Sequence, residues 1–208
     1  MNSPVILAID TATDNMTVAV CRDDQILVDE TVKDKHQAKH LLQMIDRCLK
    51  KAKLELANID AFATTKGPGS FTGIRTSLGT IKGLAYAFSK PIIAIPTMEA
   101  MVYPCDRKTT IVPTLPARKD FIYMAIFESK QNKWVETTPV SMIPTAELSQ
   151  KTPNGALIIG SEGNSKFDHV YGTNLCKISL EKYKNKEFED VFSLEPLYIQ
   201  KTAAEGYV

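Results

Sequence analysis

Three aliphatic runs fill most of the first 32 residues: VILAID (Val5 to Asp10), MTVAVC (Met16 to Cys21) and QILVDETV (Gln25 to Val32). Each is short and rich in β-branched and aliphatic residues, and only the polar turns TATDN and RDD part them. Connections this short join strands antiparallel, so the chain is expected to open as a three-stranded meander. Everything downstream has to pack on that sheet.

The next segment, HQAKHLLQMIDRCLKKA, sets Leu41, Leu42, Ile45, Cys48, Leu49 and Ala52 at helical spacing, and Lys50, Lys51 and Lys53 near its end suit the negative pole of the helix dipole. IDAFATT (59 to 65) reads as a strand, IRTSLGTIKGLAYAFS as a second helix ending before Pro91, and PIIAIP as a short buried strand. Helices interleaved with strands in this order predict an α/β lobe. From Ile111 a weaker echo follows. IVPTLPARKDFIYMAIFESK again gives a strand, a turn with a basic pair, and an alternating strand carrying Phe121, Tyr123, Ala125 and Phe127. The second half therefore reads as a shortened repeat, with lobes over residues 1–100 and 101–208. PTAELSQ reads as a short helix and ALIIGSEGNSK as a buried strand running into a turn; beyond Lys177 no element is assigned, and the closing TAAEGYV reads as a loose end.

The chain is 44% apolar and 24% charged, and no apolar run reaches the ~18 to 20 residues of a membrane span. MNSPVILAID has neither a basic region nor a cleavage site of the signal-peptide kind, so a cytoplasmic location is expected. Cys21, Cys48, Cys105 and Cys176 form no C-x-x-C pair and read as separate, reduced fillers of the core. With 25 basic and 24 acidic residues the net charge is +1, which leaves no bulk electrostatic case for nucleic-acid binding.

Three stretches bear on chemistry. In IDTATDN, Asp10 ends a strand and Thr11 and Thr13 follow in the turn, a grouping that suits a metal-bound phosphate; the plainer reading is a turn satisfied by its own backbone. His36 and His40 have the spacing of a helical metal pair, but Gln37 stands where a metalloprotease needs glutamate, and two exposed histidines are the default. TTKGPGSFTGIRTS (64 to 77) lacks the endings of a P-loop and of a dinucleotide loop. It leaves a strand, a turn that needs Gly67, Gly69 and Gly73, and a helix start where Ser70 or Thr72 can cap. An anion suits that helix start. Arg75 works against the helix dipole there and is expected to meet an acidic partner or an anion.

The helix after this loop has two uncharged sides. Ile74, Leu78, Ile81, Ala85 and Phe88 form one stripe, while Gly79, Gly83 and Ala87 recur every four residues on another. Two glycines inside a helix cost about 2 kcal/mol relative to alanine, a cost that close helix packing offsets. Packing against the first helix of the same chain and contact with a second molecule both remain open.

ILAIDTAT, the helix from His36, IDAFATTKGPGSFTGIRTSLGTIKGLA, PIIAIPT and PLYIQK together resemble the TsaB (YeaZ) family, bacterial subunits required for threonylcarbamoyladenosine synthesis on tRNA. The matching is strong over residues 5–97 and scattered beyond. The resemblance implies the actin, hexokinase and Hsp70 fold, with two related lobes of mixed sheet and a truncated second lobe. It implies a non-catalytic subunit that pairs with the catalytic paralogue TsaD, supports the ATPase TsaE, forms a homodimer when alone, and reaches tRNA through the complex. In the paralogue a His-x-x-x-His metal pair follows the strand equivalent to PIIAI; here those positions are Thr97 and Met101. No cofactor is then required. Weak nucleotide or anion binding would fall to Asp10, Thr11, Thr13 and Arg118, although Pro116 stands where relatives carry aspartate. The implied partner surface is Gly79, Gly83 and Ala87 with His40, Leu41 or Met44. An ATP-dependent phosphotransferase of the same fold and a peptidase are the rival readings.

Overall fold

The computed structural model describes residues 3–33, 36–131, 133–164 and 167–199. The three aliphatic runs form β1 (Val5–Asp10), β2 (Asn15–Arg22) and β3 (Gln25–Lys33), paired antiparallel in chain order. β4 (Ala61–Thr65) joins parallel on the free edge of β1, and β5 (Ile92–Ile95) lies parallel beyond it, giving the order β3-β2-β1-β4-β5. β1, β4 and β5 are buried at every position, which is why they read as apolar runs, with Asp10 buried at the end of β1 and Thr64 and Thr65 at the end of β4.

Helices α1 (Gln37–Ala52) and α2 (Phe71–Phe88) cover one face of this sheet, packing Leu41, Ile45, Leu78 and Ile81 on Leu7, Ile9, Val18 and Phe62. The other face, with Ile6, Ala8, Ala19 and Ile93, is covered by a helix from the far end of the chain, and α3 (Thr97–Val102) packs into the same core against that helix and the second sheet. A second sheet follows from β6 (Ile111–Pro116), β7 (Phe121–Lys130), β8 (Lys133–Pro144) and β9 (Leu157–Gly160) in the order β8-β7-β6-β9. It repeats the first: a meander, then a parallel strand on the edge of its first member.

This is the two-lobed α/β architecture expected of an actin, hexokinase and Hsp70-like chain, and the second lobe is the shorter. It has four strands against five, and a four-residue α4 (Leu148–Lys151) stands where the first lobe has the 16-residue α1. Three elements were not legible beforehand: α3, β8 and α5 (Gly172–Lys184). α5 buries Leu175, Cys176, Ile178 and Leu180 against the first sheet, and the chain after it stays there. Glu189 bridges to Ile92 and Leu194 enters the core beneath α1 and α2.

All four cysteines are free and buried, and burial pushes the Cys48 thiol up to about 12 and Cys105 to about 11. That is the chemistry of core fillers. No helix among the described residues is long and apolar enough to cross a membrane. The closing stretch TAAEGYV, and Gln200 and Lys201 of PLYIQK, lie outside the described residues.

Candidate functional site

The glycine loop is wedged between the first turn of the chain and its C-terminal segment. The Ser70 amide donates to the Ala12 carbonyl at 2.7 Å, and the Thr11 hydroxyl donates to the Gly73 carbonyl at 2.6 Å. A β-carbon on Gly73 would fall on the Thr11 carbonyl oxygen, and one on Gly69 would fall on that of Ala12. On the outer side the Leu197 amide donates to the Lys66 carbonyl at 2.6 Å, and Gly67, at φ +110°, faces the Leu197 carbonyl. Glycine is therefore needed because two backbones close on the loop. Ser70 caps α2 by accepting from the Gly73 amide at 3.2 Å, whereas Thr72 lies exposed in the first turn.

The expected phosphate turn is engaged in the same internal contacts. Thr11 is fully buried, Thr13 accepts from the Asn15 amide at 3.2 Å, and Gln37 donates its side-chain amide to the Thr13 and Asn15 carbonyls at 2.8 and 3.1 Å. Asp10 is fully buried beneath the turn. It accepts from the Thr65 hydroxyl through Oδ1, while Oδ2 has no hydrogen-bond partner among the described residues. Burial pushes this carboxyl up to about 6, and the Thr65 hydroxyl and the Ala12 amide offset only part of that rise.

A cleft of about 770 Å³ remains between the lobes, lined by the first turn, the glycine loop, residues 115–118 and the segment from Leu197 to Ile199. Arg118 and Pro116 both line it. The Arg118 guanidinium stacks on Phe121 at 4.3 Å. Among the described residues Arg75 has no acidic partner of the kind expected, and its contacts are aromatic. Its guanidinium lies 3.9 Å from the Phe71 ring centre and its Nε donates to the Tyr198 hydroxyl at 3.0 Å. An aromatic pair offsets the unfavourable dipole. Leu197 and Tyr198 thus belong to the site, and the only sequence signal for them was the PLYIQK match.

On α2 the two stripes part company. Ile74, Leu78, Ile81 and Ala85 are buried, whereas Gly79, Gly83 and Ala87 are exposed, and a β-carbon on either glycine would meet nothing within 4 Å. The ridge does not pack on α1. Of the partners expected from α1, His40 is half-buried, but Leu41 and Met44 are 1% and 2% exposed and point into the core. The exposed apolar residue of that helix is Leu42, at 62%. The 100° step between helical neighbours puts Leu42 on the outer side when Leu41 faces in. The rings of His36 and His40 meet edge to face at 6.5 Å, and no cluster of metal-ligating side chains occurs among the described residues. Thr97 and Met101 of α3 are buried at 0% and 1% exposure within the core between the lobes.

The model of the family TsaD, tRNA N6-adenosine threonylcarbamoyltransferase, matches residues 27–202. The chain is 33% identical over 129 residues to the tRNA threonylcarbamoyladenosine biosynthesis protein TsaB of Haemophilus influenzae, covering 60% of this chain and 54% of that protein. It is 32% identical over 130 residues to the TsaB of Escherichia coli, covering 61% and 56%. The chain thus spans about half the length of these relatives. The solved structure of YeaZ from Pseudomonas aeruginosa superposes with a TM-score of 0.79 at 20% identity, over 94% of this chain and 99% of that one, and so shares the fold.

Proposed function

We infer from its membership of the TsaD, tRNA N6-adenosine threonylcarbamoyltransferase family, to which the chain belongs, that it serves threonylcarbamoyladenosine synthesis on tRNA as a TsaB-type subunit without catalysis of its own. The observation that carries this reading is the open ridge of α2: two glycines inside an 18-residue helix face open space instead of the monomer's own core. Glycine there costs helix stability and returns nothing within the chain. A second helix approaching closely is what offsets it.

The partner is a TsaD-type chain, docked on Gly79, Gly83 and Ala87, with His40 and with Leu42 in place of the buried Leu41 and Met44. A second copy takes the same surface when the catalytic partner is absent, so the two unions compete. The ATPase TsaE and the tRNA act through the assembled complex, in the cytoplasm. The chemistry stays with the partner for two reasons. Thr97 and Met101 stand where the resemblance places the histidine pair of the catalytic paralogue, and both are sealed in the core. The hydroxyl of Thr11, which a phosphotransferase would turn toward phosphate, is committed to the Gly73 carbonyl. Neither residue set gives a peptidase its nucleophile and base.

Co-purification with the TsaD-type partner tests the placement. Gly79→Arg is expected to abolish the complex while the variant stays folded; a variant that still co-purifies at wild-type yield contradicts it.

A further inference from the structure

Two of the four buried cysteines meet. Cys21 lies on β2 and Cys176 on α5, with most of the chain between them. We propose that this pair is a redox latch: a peroxide joins the two sulfurs in a disulfide that fastens α5, and the C-terminal segment behind it, to the first sheet. The proposal is independent of the partner surface on α2.

Backbone packing sets up the pair. Alternation along β2 puts Ala19 and Cys21 on the same face of the sheet, the one that α5 covers. One helical turn puts Gly172 and Cys176 on the same side of α5. The helix starts so close to the sheet that a β-carbon on Gly172 would fall on the Ala19 methyl and the Asp29 carboxylate. One step further along both elements the groups that meet are the two thiols, and Cys176 donates its S–H to the Cys21 sulfur. Each cysteine is 1% exposed. Cys48 lies in the core on the opposite face of the sheet, and burial alone raises Cys105.

The pair is polarised for oxidation. The hydrogen bond from Cys176 holds the Cys21 thiol below its ordinary range, although burial opposes it, and the same bond together with burial holds Cys176 well above. Cys21 is thus the attacking thiolate. Its sulfur attacks one peroxide oxygen, the O–O bond breaks, and the leaving hydroxide takes up the proton that Cys21 gave away, leaving a sulfenic acid and one water. The Cys176 sulfur then attacks the Cys21 sulfur and the S–O bond breaks. The departing hydroxide takes the Cys176 proton as a second water, so two thiols are oxidised and one peroxide is reduced. Entry is at the start of α5. Tyr171 gives that helix no side-chain cap, and its first turn is held instead by Asp29 of β3, whose carboxylate accepts from the Thr173 amide and hydroxyl at 2.8 and 2.6 Å. Local opening of that turn uncovers both thiols. The closed bond fastens the crossing from the second lobe back to the first, and behind it the segment whose Leu197 amide holds the glycine loop.

Hydrogen peroxide added to the full folded chain tests this, with the remaining free thiols labelled by iodoacetamide in denaturant and located by peptide mass. The expected product is a cross-link between Cys21 and Cys176 with Cys48 and Cys105 labelled, together with an upward shift of the urea midpoint that dithiothreitol reverses. Cys21→Ser and Cys176→Ser are each expected to lose both the cross-link and the shift; where serine in the core unfolds the chain, Cys21→Ala and Cys176→Ala take their place. Four labelled thiols after peroxide overturn the proposal. So does a cross-link that forms only once urea has unfolded the chain, or one that involves Cys48 or Cys105. A native cross-link with no rise in the urea midpoint also overturns it, because the bond then fastens nothing.

Discussion

The Thr11 hydroxyl donates to the Gly73 carbonyl across 62 residues of sequence, and the Gly73 α-carbon sits so close to the Thr11 carbonyl that only hydrogen fits between them. The glycine loop is therefore fastened to the first turn of the chain, and α2 leaves that fastening at a fixed angle. The residues that suggest a phosphate site position a helix.

Gly73→Ala forces a methyl group onto a backbone oxygen that the β1–β2 turn cannot withdraw. It is expected to destabilise the chain by about 3 kcal/mol, read as a lower urea midpoint with an unchanged slope.

Gly79→Ala meets open space and relieves the cost of glycine in a helix. It is expected to stabilise the monomer by about 1 kcal/mol. The opposite signs at two glycines of one helix separate the buried role from the surface role. A destabilised Gly79→Ala monomer would contradict the open ridge.

Asp10 gives the chain a pH dependence. Its carboxyl, raised from 3.8 to about 6 by burial, holds a proton in the folded state that the unfolded chain has already released between those values. Stability is therefore fullest below pH 3.8 in this respect and is lost as pH rises through about 6, by about 3 kcal/mol. Asp10→Asn keeps an acceptor for Thr65 and abolishes the titration. It is expected to be more stable than the wild type at pH 7, with the difference closing toward pH 4. Equal stability at both values would show the carboxylate is satisfied.

Much of the first lobe was legible because its central strands are buried on both faces and announce themselves as apolar runs, while β3 on the exposed edge was betrayed by the short turn before it. The ridge was legible too, as a four-residue spacing of Gly79, Gly83 and Ala87. Its orientation was not, since a repeat of small residues looks the same whether it meets its own core or a partner. Leu41 and Met44 were placed on the wrong side because α1 buries five apolar residues, Leu41, Met44, Ile45, Cys48 and Leu49, beside the exposed Leu42, and sequence does not label Leu42 as the outer one. The contact of Thr11 with Gly73 has no local signal at all. α5 was missed because its four buried apolar residues sit among lysines and polar residues, and the helix gains its stability from the first sheet, far back in the chain.

Leu194→Ala tests whether the segment after α5 belongs to the first lobe. The side chain is 6% exposed in the core under α1 and α2, so the change is expected to cost about 2 to 3 kcal/mol. A loose tail would lose nothing.

The most direct measurement is threonylcarbamoyl transfer to tRNA, reconstituted from a TsaD-type chain, TsaE and the adenylate-forming enzyme. The account predicts that transfer requires this chain, survives Asp10→Asn, and is lost with Gly79→Arg although that variant is folded. Transfer that proceeds equally without the chain, or that Gly79→Arg supports as well as the wild type, would contradict it.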